Sequence, residues 1–193
     1  PKEWLDRLAE GKSFISNGPL LEWTVERKPV GSVIDLSKPA TLKAQGRALG
    51  RTDFKRIEVV RNGNVVKTAA CEKQGEHFVA TIELSLPIDA PCWLALRTPP
   101  PPVKDDPQLQ EPVARNEFGE SLFAHTSPIY VNLNGEGVFD SATAVELVAQ
   151  MKSDWAKIQT QAVFSDPSQR KRVSQVYQEA IDVLEKRLAR RGK

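Results

Sequence analysis

His77-Phe78-Val79-Ala80-Thr81-Ile82-Glu83-Leu84-Ser85-Leu86 is the stretch that decides the fold of this chain of 193 residues. Phe78, Ala80, Ile82, Leu84 and Leu86 alternate with Thr81, Glu83 and Ser85, a period of two that turns one face to a core and the other to water. Pro87 ends the run, because proline cannot donate to a strand ladder.

The same period recurs on both sides of it. Leu21, Trp23 and Val25 alternate with Glu22, Thr24 and Glu26 until Lys28-Pro29-Val30-Gly31 breaks the pattern. Val33, Ile34 and Leu36 follow. Leu42, Ala44, Gly46 and Ala48 then alternate with Lys43, Gln45 and Arg47, and the glycine inside that run marks a bulge or a close approach of sheets. Ile57 and Val59 share one face of Arg56–Arg61. The next two residues, Asn62-Gly63, are the strongest short hairpin signal in the sequence, with Val65 and Val66 opening the return strand. Downstream, Cys92–Arg97 is an apolar run, and Ile129, Val131 and Leu133 are the last alternation. Seven or eight short strands separated by turn signals predict a mainly β fold, an antiparallel β-sandwich of immunoglobulin-like type.

Helical patterns flank the strands. Trp4, Leu5, Leu8 and Ala9 are spaced as one face of a short helix that stops at Gly11, where glycine can take the left-handed conformation. Phe14-Ile15 and the turn Asn17-Gly18-Pro19 then lead into the sheet region. After Asn134-Gly135 the period becomes helical. Ala144, Val148, Met151, Trp155, Ile158 and Ala162 form one stripe, with Asp140 or Ser141 as its cap. Asp166 as N-cap, Pro167 at the first position and Gln169 three residues on start a second helix. Its stripe is Val173, Tyr177, Ala180, Ile181, Leu184 and Leu188. Two helices on a short loop predict a helical hairpin. The expected organisation is a helix over 1–12, a β-sandwich over 13–135 with a Pro-rich loop at 98–121, and a helical hairpin over 136–193.

Composition excludes several classes. A net charge of +2, with 27 basic and 25 acidic residues, gives no general attraction to nucleic acid or to a membrane surface. No apolar run approaches the roughly 20 residues of a spanning helix. The tail from Ser168 to Lys193 carries eight Lys/Arg against three acids, which reads as a solvated helix face, since it lacks interleaved aromatics. Cys71 and Cys92 fit either two small buried thiols or one disulfide. His77 and His125 are the only histidines, and no HxH, HExxH, CxxC, GxGxxG or P-loop spacing occurs, so no residue is assigned to catalysis or to a metal. Pro99–Pro102 predicts polyproline II and, with Lys104–Pro107, a stiff surface loop.

Leu122–Val131 is unusual, because His125-Thr126-Ser127-Pro128 interrupts a strand-like run. Pro128 forbids a central strand there, so the tetrad is a bulge, an edge or a break, and such interruptions re-aim side chains. Asn17, His125, Thr126 and Ser127 are therefore the candidate polar site, expected at one end of the sandwich.

Trp4–Leu21, with its Gly11-Lys12-Ser13-Phe14-Ile15-Ser16-Asn17-Gly18-Pro19, and Ala124–Val131, followed by a helical tail containing Trp155, resemble passages of CehA/McbA-type metallohydrolases of the PHP superfamily. The resemblance runs from about Trp4 to Leu188. In that family a distorted β/α barrel carries the His, Asp and Glu metal ligands, and HxH- and DxH-like pairs are absent here. The resemblance thus implies a C-terminal accessory part, with Pro1–Glu10 as the end of the barrel region. The chain starts Pro1-Lys2-Glu3-Trp4, without Met or a signal-peptide pattern, which fits that expectation.

The implied parent is a metal-dependent, phosphoesterase-like hydrolase with its divalent metal in the barrel. This chain itself is expected to be inactive, to pack on that barrel, to help shape the substrate entrance, and to be compatible with homo-oligomers. Neither nucleic acid nor membrane is an expected partner, and export or a periplasmic location is compatible with the sequence. The alternative is a stand-alone sandwich module that binds carbohydrate or protein, with Trp23, Trp93 and Tyr130 as ring platforms.

Overall fold

The computed structural model describes residues 2–100 and 114–191. The expected polyproline II beyond Pro100 and the polar stretch Lys104–Pro107 lie outside the described residues. The chain divides into two compact units, Pro1–Val138 and Phe139–Lys193.

The first unit opens with α1 (Lys2–Ala9) and β1 (Phe14–Ser16). The strands β2 (Leu20–Val25), β3 (Lys28–Pro29), β4 (Val33–Leu36), β5 (Ala40–Gly50) and β6 (Arg56–Arg61) follow. Next come β7 (Asn64–Ala70), β8 (Glu72–Gln74), β9 (His77–Ile88), β10 (Cys92–Arg97), β11 (Ala124–Thr126) and β12 (Ile129–Leu133). They make two sheets, one of five strands in the order β3-β2-β5-β9-β8 and one of seven. In the larger sheet β10 is central: it pairs with β6 on one side and with β11 and β12 on the other, while β7, β1 and β4 lie further out. All pairings are antiparallel except β12 with β4, which is parallel. The larger sheet is therefore mixed rather than antiparallel throughout as expected, and the described residues hold twelve strands where seven or eight were expected, because β1, β3, β8 and β11 are only two or three residues long and leave no period in the sequence.

The decisive alternation is β9, whose Ala80, Ile82 and Leu86 are buried and whose Thr81, Glu83 and Ser85 are exposed. It pairs with β5 from Ala40↔Ile88 to Gly50↔Phe78 without interruption. Gly46 is thus no bulge. A Cβ there would stand 2.9 Å from Ile82 Cγ2 and 3.1 Å from both Leu96 methyls. Leu96 belongs to the other sheet, so glycine opens the notch that a β10 side chain enters.

Three turns depend on left-handed residues. Gly11, at φ +68°, ends α1, and Lys12 N–H donates to the Arg7 carbonyl at 2.9 Å. Asn62 and Gly63, at +49° and +87°, close the β6–β7 hairpin as expected. The break expected at Lys28-Pro29 is instead a short return strand: Glu26 and Arg27 adopt φ of +49° and +60° and make a tight hairpin. These are not the Asn and Gly that usually mark such a turn. The Glu26 carboxylate accepts from Lys43 N–H, and Glu26 N–H donates to the Lys43 carbonyl at 2.8 Å, which holds the turn against β5.

Residues of both sheets form one buried cluster, including Trp23, Ala44 and Ile82 from one and Ile57, Leu94, Leu96 and Ile129 from the other. Cys92 is fully buried, Cys71 half-buried, and both are free thiols. Trp23 Nε1 is the one buried side-chain nitrogen or oxygen without a partner among the described residues.

The second unit is the expected helical pair, α2 (Ser141–Gln161) and α3 (Pro167–Arg191). Ala144, Val148 and Ile181 are buried, and the Trp155 and Tyr177 rings stack at 5.6 Å. Asp140 accepts from Thr143 N–H at 2.6 Å and caps α2. Asp166 accepts from Gln169 N–H at 2.9 Å, and the Gln169 side chain reaches back to Ser165 N–H at 2.7 Å. No helix among the described residues is long and apolar enough to cross a membrane.

Two predictions follow from this packing and capping. Gly46→Val forces a branched side chain into the Leu96 notch, where overpacking costs about 1–3 kcal/mol, and a lowered urea midpoint measures it. Hydrogen bonding from Thr143 holds Asp140, and from Ser168 and Gln169 holds Asp166, below the ordinary carboxylate range. Stability from a carboxylate lowered on folding is complete above about pH 4, the unfolded value, and is lost as pH falls through the lower folded value. The helical circular dichroism signal is therefore expected to weaken on acidification below that point, and less so in the Asp140→Asn, Asp166→Asn double variant.

Candidate functional site

Strand β10 reads Cys-Trp-Leu-Ala-Leu-Arg, with no polar residue between its alternating apolar positions. Cys92, Leu94 and Leu96 are fully buried in the core. Trp93, Ala95 and Arg97 point the other way, to the outer face of the seven-stranded sheet. A strand covered on both faces loses its alternation, and β6 does the same with Ile57 and Val59 inward and Glu58 and Val60 outward. Val60 is 2 % and Ala95 8 % exposed, although neither belongs to the core cluster.

Both line a groove of about 500 Å³. Val60 and Ala95 are at its base. Trp93 and Tyr130 lie on one side as direct cross-strand partners of β10 and β12. Arg97, Phe123 and His125 line it further along, with Pro100 and Pro128. Tyr130 is 43 % exposed. Arg97 shares its counter-charge: the Glu58 carboxylate, 3 % exposed, accepts from Arg97 Nε and from Arg56 Nε, each at 2.9 Å, so one acid serves two arginines.

The expected polar site is divided between two tasks. Asn17 fastens the chain. Its Nδ2 donates to the Ser121 carbonyl at 3.0 Å and its Oδ1 accepts from Phe123 N–H at 2.8 Å. Asn116 Nδ2 donates to the Asn17 carbonyl at 3.3 Å and to Glu120 at 3.0 Å, closing a small network around the end of the 114–121 segment. His125 is close in the fold, because β1 pairs with β11 in the register Ile15↔His125 and Ser16↔Ala124. Its ring is exposed and lines the groove, with one weak contact from Nδ1 to the Thr126 carbonyl at 3.4 Å. Thr126 and Ser127 also line the groove, but their hydroxyls are committed. Thr126 Oγ1 accepts from Leu96 N–H at 3.1 Å, and Ser127 Oγ shares a hydrogen bond with Ser13 Oγ at 3.1 Å.

The stretch after α1 is thereby tied to the groove's end. Ser127 N–H donates to the Ser13 carbonyl at 3.0 Å, and Gly31 N–H donates to the Pro128 carbonyl at 3.0 Å. A side chain at Gly31 would collide with the Glu10 carbonyl at 2.2 Å. The interruption at His125–Pro128 therefore serves as a strand break that receives the α1–β1 connection.

Of the three rings considered as platforms, Trp23 is core, at 3 % exposure, while Trp93 and Tyr130 meet in the groove. Val60, Ala95, Arg97, Phe123 and Pro100 were not legible as site residues. The unbroken apolar run of β10 was the one available signal.

Elsewhere, Cys71 Sγ donates to Asp53 Oδ1 at 3.0 Å. Burial, and then the Asp53 carboxylate, push the thiol up to about 11. It remains protonated at neutral pH and is a poor nucleophile. Among the described residues no three His, Cys, Asp or Glu side chains converge as a metal site. No protein-family model and no curated protein matches the chain.

Asn17→Ala leaves Ser121 C=O and Phe123 N–H without their partner, which costs about 1–3 kcal/mol. The expected result is a lower melting temperature with the native far-ultraviolet circular dichroism retained below the transition.

Proposed function

We propose that this chain is a non-catalytic accessory domain, an immunoglobulin-like β-sandwich with a helical hairpin, of a CehA/McbA-type metal-dependent hydrolase of the PHP superfamily. In this reading it packs on the catalytic barrel and helps shape the substrate entrance, and the divalent metal belongs to the barrel. The observation that carries it is the contrast between the two outer sheet faces. The five-stranded sheet turns Glu22, Lys43, Gln45, Arg47 and Glu83 to solvent. The seven-stranded sheet turns out Ile15, Val33, Val65 and Tyr130, all more than 40 % exposed. Exposed apolar side chains gathered on one sheet face favour a face that another body covers, and the five-stranded sheet exposes Leu20 of this kind. Leu5 and Leu8 of α1, 55 % and 48 % exposed, extend the same character to the segment that would lead in from the barrel.

The coding sequence upstream of Pro1 tests this reading. A barrel bearing His-x-His and Asp-x-His pairs is expected, and the intact protein should hydrolyse phosphoesters with divalent metal. Tyr130→Asp should then speed proteolytic release of this domain from the intact enzyme. An upstream sequence without such pairs, or release indifferent to Tyr130→Asp, would remove the reading.

A second reading, a binding module for carbohydrate or protein, is favoured by one specific observation: Trp93 and Tyr130 lie side by side at an open groove. Calorimetric titration with oligosaccharide and peptide ligands tests it, and binding of neither class would end it.

A further inference from the structure

We propose that the Trp93–Tyr130 groove docks a proline-rich segment of another protein, bound as a polyproline II helix. The proposal rests on the second reading above and names the ligand class.

The shape of the groove is the first support. Trp93 and Tyr130 stand as cross-strand neighbours, and the short side chains of Val60 and Ala95 leave a depression beside them. Parallel furrows between aromatic rings are what polyproline II segments fill, with proline rings inserted against the aromatic faces. Pro100 of the chain itself already lines this groove, as does Pro128. The surface thus accepts proline rings at its edges.

The polar inventory discriminates between ligands. Most hydrogen-bonding groups around the groove are spent on the fold: Thr126 on Leu96 N–H, Ser127 on Ser13, Thr98 on the Ala124 backbone, Arg97 on Glu58. The Trp93 indole N–H and the Tyr130 hydroxyl have no partner among the described residues, and His125 makes only its weak contact. Those three can donate, as can the Arg97 guanidinium beyond its Nε, and together they are few. A saccharide carries a hydroxyl on most ring carbons, and each one that is desolvated needs a partner. A proline segment has no N–H groups and offers only carbonyl acceptors. The few donors match it.

Charge does not oppose it and entropy favours it. Glu58 is shared between Arg97 and Arg56, which leaves this end of the groove net positive, and an uncharged proline segment is indifferent to that field. A polyproline II helix is already ordered before binding, so an open groove can hold it without a large ordering cost.

The test is fluorescence anisotropy of a labelled deca-proline peptide against a Gly/Ser peptide of equal length, with calorimetry of cello- and chito-oligosaccharides alongside. The proline peptide is expected to bind and the Gly/Ser peptide not to. Tyr130→Ala should weaken binding about tenfold, equal to about 1.4 kcal/mol, and Glu83→Ala on the opposite sheet should leave it unchanged. Raising the salt should also leave it unchanged, because the proline residues carry no charge to be screened. Trp93 is half-buried, so Trp93→Ala is read only if it retains the native circular dichroism; Tyr130→Ala carries the test otherwise. Failure of the proline peptide to bind, or binding indifferent to Tyr130→Ala, overturns the proposal. Saccharide binding lost in Tyr130→Ala overturns it too, while leaving the second reading intact. A concentration-dependent dimer abolished by Tyr130→Ala, with no peptide binding, overturns it in favour of a second copy of this chain.

Discussion

Strand β10 is buried from both sides, and much of the first unit follows from that. On its inner face Leu96 enters the notch above Gly46, and Cys92 and Leu94 complete the contact with the other sheet. Interiors are close-packed, so a side chain that fills a glycine notch sets how near two layers come. On its outer face Ala95 is buried, while Trp93 and Arg97 are half-buried at the groove. A strand with no polar residue before Arg97 does not leave its second face wholly to water.

The polar residues around that groove work mostly for the backbone. Asn17 satisfies two main-chain groups where β1 and the 114–121 segment converge, and Thr126 satisfies Leu96 N–H in the middle of β10. Ser13 and Ser127 join the end of the α1 connection to the break before β12. Glu58 sits between two arginines and carries its charge under cover, an arrangement that a buried carboxylate requires. What stays uncommitted along the groove is a small set of aromatic surfaces and a few donors.

The two units differ in how they are held. In the first, long pairings such as β5 with β9 join residues far apart in sequence. In the second, each helix is closed by its own local hydrogen bonds and capped by Asp140 or Asp166 before the pair meets at contacts such as Trp155 with Tyr177. Local contacts form with little loop-closure cost, whereas the sheets must close long loops before their contacts repay it.

The strand content, the Asn62-Gly63 hairpin, the Gly11 stop and both helix caps were legible in the sequence, because each depends on backbone preference or on a period confined to one segment. Gly46 was legible only as an alternative, bulge or close approach, since the side chain that decides it, Leu96, lies fifty residues away. The Glu26-Arg27 turn was hidden, because a hydrogen bond to β5 rather than residue type holds it. His125 and Asn17 could be singled out as interruptions of apolar runs, yet their separate tasks depend on which backbone groups fall within reach. Sequence by itself determined both helices of the second unit and the longer strands, but not the two- and three-residue strands or the continuation of β9 past Pro87, which pairs with Thr41. Only the tertiary structure decided that β10 is central, that Trp93 meets Tyr130 across it, and which polar groups remain free, because register and sheet order bring those residues together from separate parts of the chain.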